Sequence, residues 1–219
     1  MPSLALRKFE GPMMLDVNRM IQTHADITNG QQGNWGLGHL TRSGVLLLCA
    51  AWELYIEEVL VEAVEKIIER VASPSELPSP VKLRISEYIR ASKHNLKPLE
   101  MAGDGWKLIY LEIAREWVIG LNTPNRHNVN IGFNRFIGYN DISGSWTLGE
   151  DVVNDFVSLR GGVAHRGADI QNIRFHALKD NHKPNICQCA SEMDNAISNF
   201  IRVEYPDDRF PWNRRNLDV

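Results

Sequence analysis

From Arg42 to about Val71 the chain sets Leu46, Leu47, Ala50, Leu54, Val61, Val64, Ile68 and Val71 at three- and four-residue steps. That spacing is the period of an α-helix and cannot serve a strand, whose faces alternate every second residue. The first half of the stretch is apolar nearly all round. A helix with no polar face is stable only when other elements surround it, so this segment is expected at the centre of a helical bundle.

The flanking sequence supplies the helices to surround it, and strand-like alternation is nearly absent, so the fold class expected is all-α. Gly11-Pro12 opens a first helix that runs to about Asn29, followed by a glycine-rich connection from Gly30 to Gly38 in which Trp35 is an anchor candidate. Pro74, Pro78 and Pro80 interrupt the chain after the long helix. Further helices are predicted over Val81 to Ser92, Gly105 to Gly120, Leu148 to about Arg166 and Met193 to Val203, with a short one over Asn128 to Gly138. Two glycines and three asparagines weaken that short segment. No internal repeat or clear linker divides the chain, so residues 1–219 read as one domain with a core at about 42–203 and an irregular tail over 206–219.

Composition narrows the function. The longest apolar run, Val45 to Trp52, is far shorter than the roughly 20 residues of a membrane helix. No signal-peptide core follows Arg7, Lys8 and Glu10, and a cytoplasmic chain is expected. Cys49, Cys187 and Cys189 make an odd set, which argues for reduced thiols over a disulfide framework. A formal net charge of −3 does not suit a protein that coats nucleic acid by bulk electrostatics. The charge is uneven, however. Glu53 to Arg70 holds six glutamates against Lys66 and Arg70, whereas Arg160 to Lys183 holds five cations against Asp169 and Asp180. A modest basic patch of the second kind attracts a short run of phosphates.

Inside that basic stretch lies Phe156-Val-Ser-Leu-Arg160-Gly-Gly-Val-Ala-His165-Arg166-Gly167. A guanidinium grips two phosphate oxygens in a fork, and an imidazole moves a proton near neutral pH. Val153, Phe156, Leu159 and Val163 define the buried stripe of this helix, so Arg160 borders the core and is half-buried. His165 falls about 140° from Arg160 on an ideal helix, in line with Ser158 and a turn beyond Gly161. Gly161 and Gly162 each disfavour a helix by about 1 kcal/mol relative to alanine, which calls for a compensating close approach or a bend. The spacing alone is common in a chain with 24 basic residues and seven histidines; a structural Arg160 beside an exposed His165 is its plain reading.

Two distant stretches change the weighting. Val45-Leu-Leu-Leu-Cys-Ala-Ala-Trp-Glu-Leu-Tyr-Ile-Glu-Glu-Val59 carries a Trp-Glu-x-Tyr core, and Leu121-Asn-Thr-Pro-Asn125 a Thr-Pro-Asn loop. Together with Arg160 and His165, which form an R-x4-6-H signature, they resemble the HEPN superfamily in its RiboL-PSP and MAE-28990-like branches, over about Arg42 to Val203. The resemblance implies a homodimeric helical bundle and a metal-independent endoribonuclease, with no cofactor, in which Arg160 and His165 face a cleft between subunits. It also implies a toxin or phage-defence setting, with RNA and an antitoxin or defence-system protein as partners.

One position departs from the pattern. Many active relatives place Asn, Asp or His directly after the motif arginine, and this chain has Gly161. Asp155 and Ser158 are candidate substitutes for the missing polar group, Arg166 a candidate to favour neutral His165, and Glu53 a candidate partner that positions Arg160. A non-cutting RNA-binding module, a protein-interaction module and an unrelated bundle remain the alternatives. Elsewhere, His176, His182, Cys187 and Cys189 fit no common zinc spacing, and Gly30 to Gly38 completes no phosphate-binding fingerprint. Trp35 and Trp212 are the tryptophans to consider for interface or base stacking, with core packing the plainer role.

Overall fold

The computed structural model describes residues 1–31, 36–164, 173–207 and 209–215, together with the backbone of 165 and 166. Every regular element among them is helical. The first begins earlier than Gly11: Ser3 caps Leu4–Lys8 (α1), its hydroxyl accepting from the Leu6 N–H at 2.9 Å, while Glu62 accepts from the N–H groups of Leu4 and Ala5. These bonds satisfy amides that a helix start leaves orphaned. The chain then widens into a π turn over Phe9–Met13 and continues as Met14–Thr28 (α2). Pro12 sits inside that turn. A proline lacks the N–H and clashes with the preceding turn of an α-helix, and a widened turn relieves both conflicts. The sequence expectation took Pro12 as a helix start because that is where proline is commonest.

Gly38–Ile68 (α3) is the axis of the bundle. Val45, Leu48, Trp52, Tyr55, Ile56, Val59, Leu60, Ala63, Val64 and Ile67 are all buried along it. Around it pack α1, α2, Gly105–Ile119 (α5), Arg126–Ile137 (α6), Asp151–Arg166 (α7) and Lys183–Glu204 (α8), while Ser79–Ala91 (α4) leans on α5 and α6. The central-helix expectation therefore holds, and each fully buried large side chain contributes about 1.5–3 kcal/mol.

The weak-looking segment α6 is a full helix because its glycines and asparagines have local jobs. Asn125 caps it, accepting from the Asn128 N–H at 2.9 Å. Gly138 ends it with φ of +82°, a left-handed conformation that favours glycine. Gly132 lies under the Trp117 ring, where any side chain would collide.

The last helix begins at Lys183 instead of Met193, preceded by a π turn over Ala177–His182. Leu178 in that turn presses on α3 at Gly44, where an added Cβ would come within 2.5 Å of Leu178 Cδ2. The core also reaches beyond 42–203, to Ala5, Leu6, Phe9, Met14 and Val17 on one side and Tyr205 and Trp212 on the other. Trp212 is buried: its indole N–H donates to the Asp194 carbonyl at 3.1 Å, and the Ser198 hydroxyl donates to the Trp212 carbonyl at 2.7 Å. Packing accounts for that residue. Trp35 lies outside the described residues. No helix among the described residues is long and apolar enough to cross a membrane.

Candidate functional site

The three stretches singled out in the sequence meet at α3. Trp52, Glu53 and Tyr55 are almost consecutive, so the helix aims them in different directions, and each reaches another element. The Trp52 indole donates to the Pro124 carbonyl at 3.0 Å. The Tyr55 hydroxyl donates to the Ala190 carbonyl of α8 at 2.8 Å. Glu53 Oε2 stands 3.9 Å from Arg160 Nη2 of α7. The Trp-Glu-x-Tyr core thus fastens the Thr-Pro-Asn loop, the last helix and the motif helix to one axis.

The loop repays that fastening. With Pro124 held by Trp52, Asn125 caps α6 and the Thr123 carbonyl accepts from Asn128 Nδ2 at 2.8 Å. The start of α6 then reaches α7, since the Arg126 N–H donates to Asn154 Oδ1 at 3.0 Å and Arg126 Nε pairs with Glu150 Oε2 at 2.6 Å. Arg126, Glu150 and Asn154 carry no motif pattern, and sequence reasoning passed over them.

On α7, Val153, Phe156, Val157 and Val163 are buried, and Leu159 packs against the core. Arg160 borders that stripe. Its side chain is 38% exposed against 19% for Glu53, so the guanidinium is anchored from inside and open outward. The pair is loose: at 3.9 Å it is an ion pair without a hydrogen bond. Burial raises the Glu53 carboxyl above its usual range, and Arg160 partly offsets that. Burial also pushes the Cys49 thiol up to about 11, with Arg160 pulling it down and Glu53 pushing it further up. Cys49 is therefore an inert neighbour of the pair.

A Cβ added at Gly161 would meet nothing within 4 Å. No close approach among the described residues explains this glycine. Asp155 and Ser158 are both exposed, and among the described residues neither bonds to Arg160. Helix geometry turns Asp155 about 140° from Arg160. The side chains of His165 and Arg166 lie outside what is described; their backbone closes the last turn of α7.

His182 is a residue that sequence reasoning weighed only as a metal ligand. The π turn sets its ring against Phe156, centroids 5.7 Å apart, and burial lowers its pKa. It is a packing histidine behind the motif helix. Cys187 and Cys189 are free thiols raised by burial, Cys189 to about 12.

An all-helical bundle whose long axis ties a Thr-Pro-Asn loop to a late helix bearing Arg160 and His165 is the architecture of a HEPN domain. A family model described as RiboL-PSP-HEPN matches residues 17–199, and the chain belongs to that family. It is a HEPN module, of a kind generally ribonucleolytic or otherwise RNA-related. No curated protein and no solved structure matches it.

Proposed function

We propose that the protein is an endoribonuclease acting as a homodimer, with Arg160 and His165 as the catalytic residues. The observation that carries this reading is the outward-facing, core-anchored Arg160 beside Gly161, where a Cβ would meet nothing among the described residues. Half-exposed Leu46, Leu47 and Leu54 line the neighbouring face of α3. Exposed leucines beside a motif are what a second copy would cover.

In the proposed reaction the RNA 2′-hydroxyl oxygen forms a bond to the adjacent phosphorus while the bond from phosphorus to the 5′ oxygen breaks. A base removes the 2′-hydroxyl proton, and an acid delivers one to the departing 5′ oxygen. The products are a 2′,3′-cyclic phosphate and a 5′-hydroxyl end. His165 supplies one proton transfer, the partner's copy the other, and Arg160 stabilises the charge that develops on the phosphorane oxygens. Glu53 positions Arg160. No metal ion or cofactor takes part in this scheme. A toxin or phage-defence role in the cytoplasm, checked by an antitoxin or another defence protein, is part of the same proposal.

Gly161 supports the second reading, a module that holds RNA without cutting it, because the polar group that many active relatives carry at this position is missing. One assay separates the two. Purified protein is incubated with mixed RNA in EDTA beside Arg160→Ala and His165→Ala, and product ends are mapped. Cyclic-phosphate ends that vanish in both variants support cleavage. Equal cutting by all three proteins overturns the site, intact RNA supports the binding module, and loss of cutting in EDTA alone points to a metal-dependent reaction.

A further inference from the structure

The exposed side of α6 forms a second polar feature that the cleavage scheme leaves unused. Between α6 and the loop after it lies an open cleft of about 410 Å³, lined by Arg126, His127, Asn130, Asn134, Arg135 and Asn140 among others. Part of it is frame. Asn130 Nδ2 donates to Asp141 and to Ser143 Oγ, its Oδ1 accepts from the Ser143 N–H at 3.1 Å, and Arg126 Nε reaches Ser143 Oγ at 3.3 Å. These bonds use both Asn130 donors and one acceptor position, and fix the cleft wall. They also hold the Asp141 carboxyl below its usual range, chiefly through the Ser143 hydroxyl.

The other part is unspent. Asn134 Nδ2 donates to Asn140 Oδ1, which leaves the Asn134 oxygen as an acceptor beside the Asn140 amide as a donor. Among the described residues neither of these has a partner. Arg135 and His127 are exposed and make no ion pair among the described residues. An acceptor beside a donor matches the edge of a nucleobase, and a nearby guanidinium matches its phosphate. Base edges are available to side chains in RNA only where the strand is unpaired.

Position links the cleft to α7. Arg126 at its mouth bonds to Asn154, which shares a row of α7 with Ser158 and Gly161, about 100° or more around the helix from Arg160.

We propose that this cleft holds an unpaired nucleotide of a single-stranded RNA, with Arg135 and His127 at the phosphate and the Asn134–Asn140 pair at the base edge. The binding of unpaired RNA at α6 stands apart from the ribonuclease reading above.

The test uses full-length protein and fluorescein-labelled RNA carrying 2′-O-methyl groups, which cannot be cut, as a single strand and as a duplex. Anisotropy is measured across a salt series for wild type, the double variant His127→Ala/Arg135→Ala, Asn134→Ala, and Arg19→Ala as a remote loss of charge. The single strand is expected to bind wild type more tightly than the duplex. The double variant should weaken it about tenfold and lower the salt slope by about one. Asn134→Ala should erase the preference for single strand. Unchanged binding by the double variant, equal loss in Arg19→Ala, or no RNA binding by wild type would each overturn the proposal. Parallel cleavage of unmodified RNA keeps the two ideas apart: Arg160-dependent cutting with α6 variants that bind normally sinks the cleft alone, and α6-dependent binding without cutting sinks the nuclease alone.

Discussion

Asp194 and Glu53 are both carboxylates set into the bundle, and their surroundings differ in kind. Asp194 is fully buried on α8 and accepts from the Ser3 hydroxyl and the Ser3 N–H, while its own carbonyl accepts from Trp212. That one residue fastens both ends of the chain, and the Asn213 N–H closes the clasp by donating to the Met1 carbonyl at 2.9 Å. Among the described residues Glu53 meets Arg160 alone, at 3.9 Å, both side chains reach solvent, and a Cβ at the adjoining Gly161 would have no neighbour within 4 Å. The clasp is satisfied from within. The motif region keeps interaction capacity in reserve, which costs little stability at a partly exposed pair and leaves a guanidinium free to turn toward a phosphate.

That contrast predicts opposite responses to substitution. Arg160→Ala should reduce RNA cleavage about 10³-fold, equivalent to about 4 kcal/mol of transition-state stabilisation, while the unfolding midpoint of the protein barely moves. A variant that lost cleavage only because it unfolded would erase the distinction. Trp212→Ala should do the reverse: the loss of a buried indole and its bond to Asp194 costs about 3 kcal/mol of stability in denaturant titration, with cleavage by the remaining folded protein near normal.

The clasp should also be sensitive to pH. Burial raises the Asp194 carboxyl from 3.8 to about 7, with the Ser3 hydrogen bonds pulling it down and the Glu62 charge pushing it up. The folded protein therefore binds this proton more tightly than the unfolded chain does. Stability from Asp194 is fully present below about pH 4 and falls as pH climbs through about 7, with a slope of at most about 1.4 kcal/mol per unit. Asp194→Asn should flatten that slope in denaturant titrations between pH 4 and 8. A slope that survives the substitution would assign it to other carboxylates.

Much of the motif region was legible in sequence because its signals are local. The period of α3, the stripe on α7 and the position of Arg160 beside it all follow from residues a few steps apart. The clasp was not legible. Phe210-Pro211-Trp212 has no periodicity, and its burial depends on α8, whose first half has Ile186, Cys189, Ala190 and Met193 at helical spacing but is broken up visually by serine, cysteine and the π turn. The start of α1 was missed because its partners lie far away in the chain: Asp194 for Ser3, and Glu62 for the N–H groups of Leu4 and Ala5. The α6 cleft was hidden for a related reason: asparagines and glycines that weaken a helix in isolation become caps, frames and close contacts once Trp52 holds Pro124.

Glu53→Gln probes the reserve directly. The substitution keeps the shape and removes the charge, so Arg160 loses its counter-ion while packing is preserved. Stability should change by less than about 1 kcal/mol, since the pair is partly exposed and longer than a hydrogen bond. Cleavage should fall roughly tenfold, about 1.4 kcal/mol, and Glu53→Asp should restore part of it. A merely structural glutamate would show loss of stability with no selective loss of cleavage.

The finest test is Gly161→Ala. Within the described chain the added methyl has nothing to strike, and alanine favours a helix over glycine by up to about 1 kcal/mol. The isolated subunit should therefore be slightly more stable. If a second subunit or an RNA strand closes over this position, the same methyl intrudes there, and dimer dissociation or the RNA concentration needed for half-maximal cleavage should rise several-fold. Greater stability with unchanged dimerisation and cleavage would mean that the space beside Arg160 stays open in the working protein, and Gly161 would then be a residue where a polar group was lost and nothing took its place.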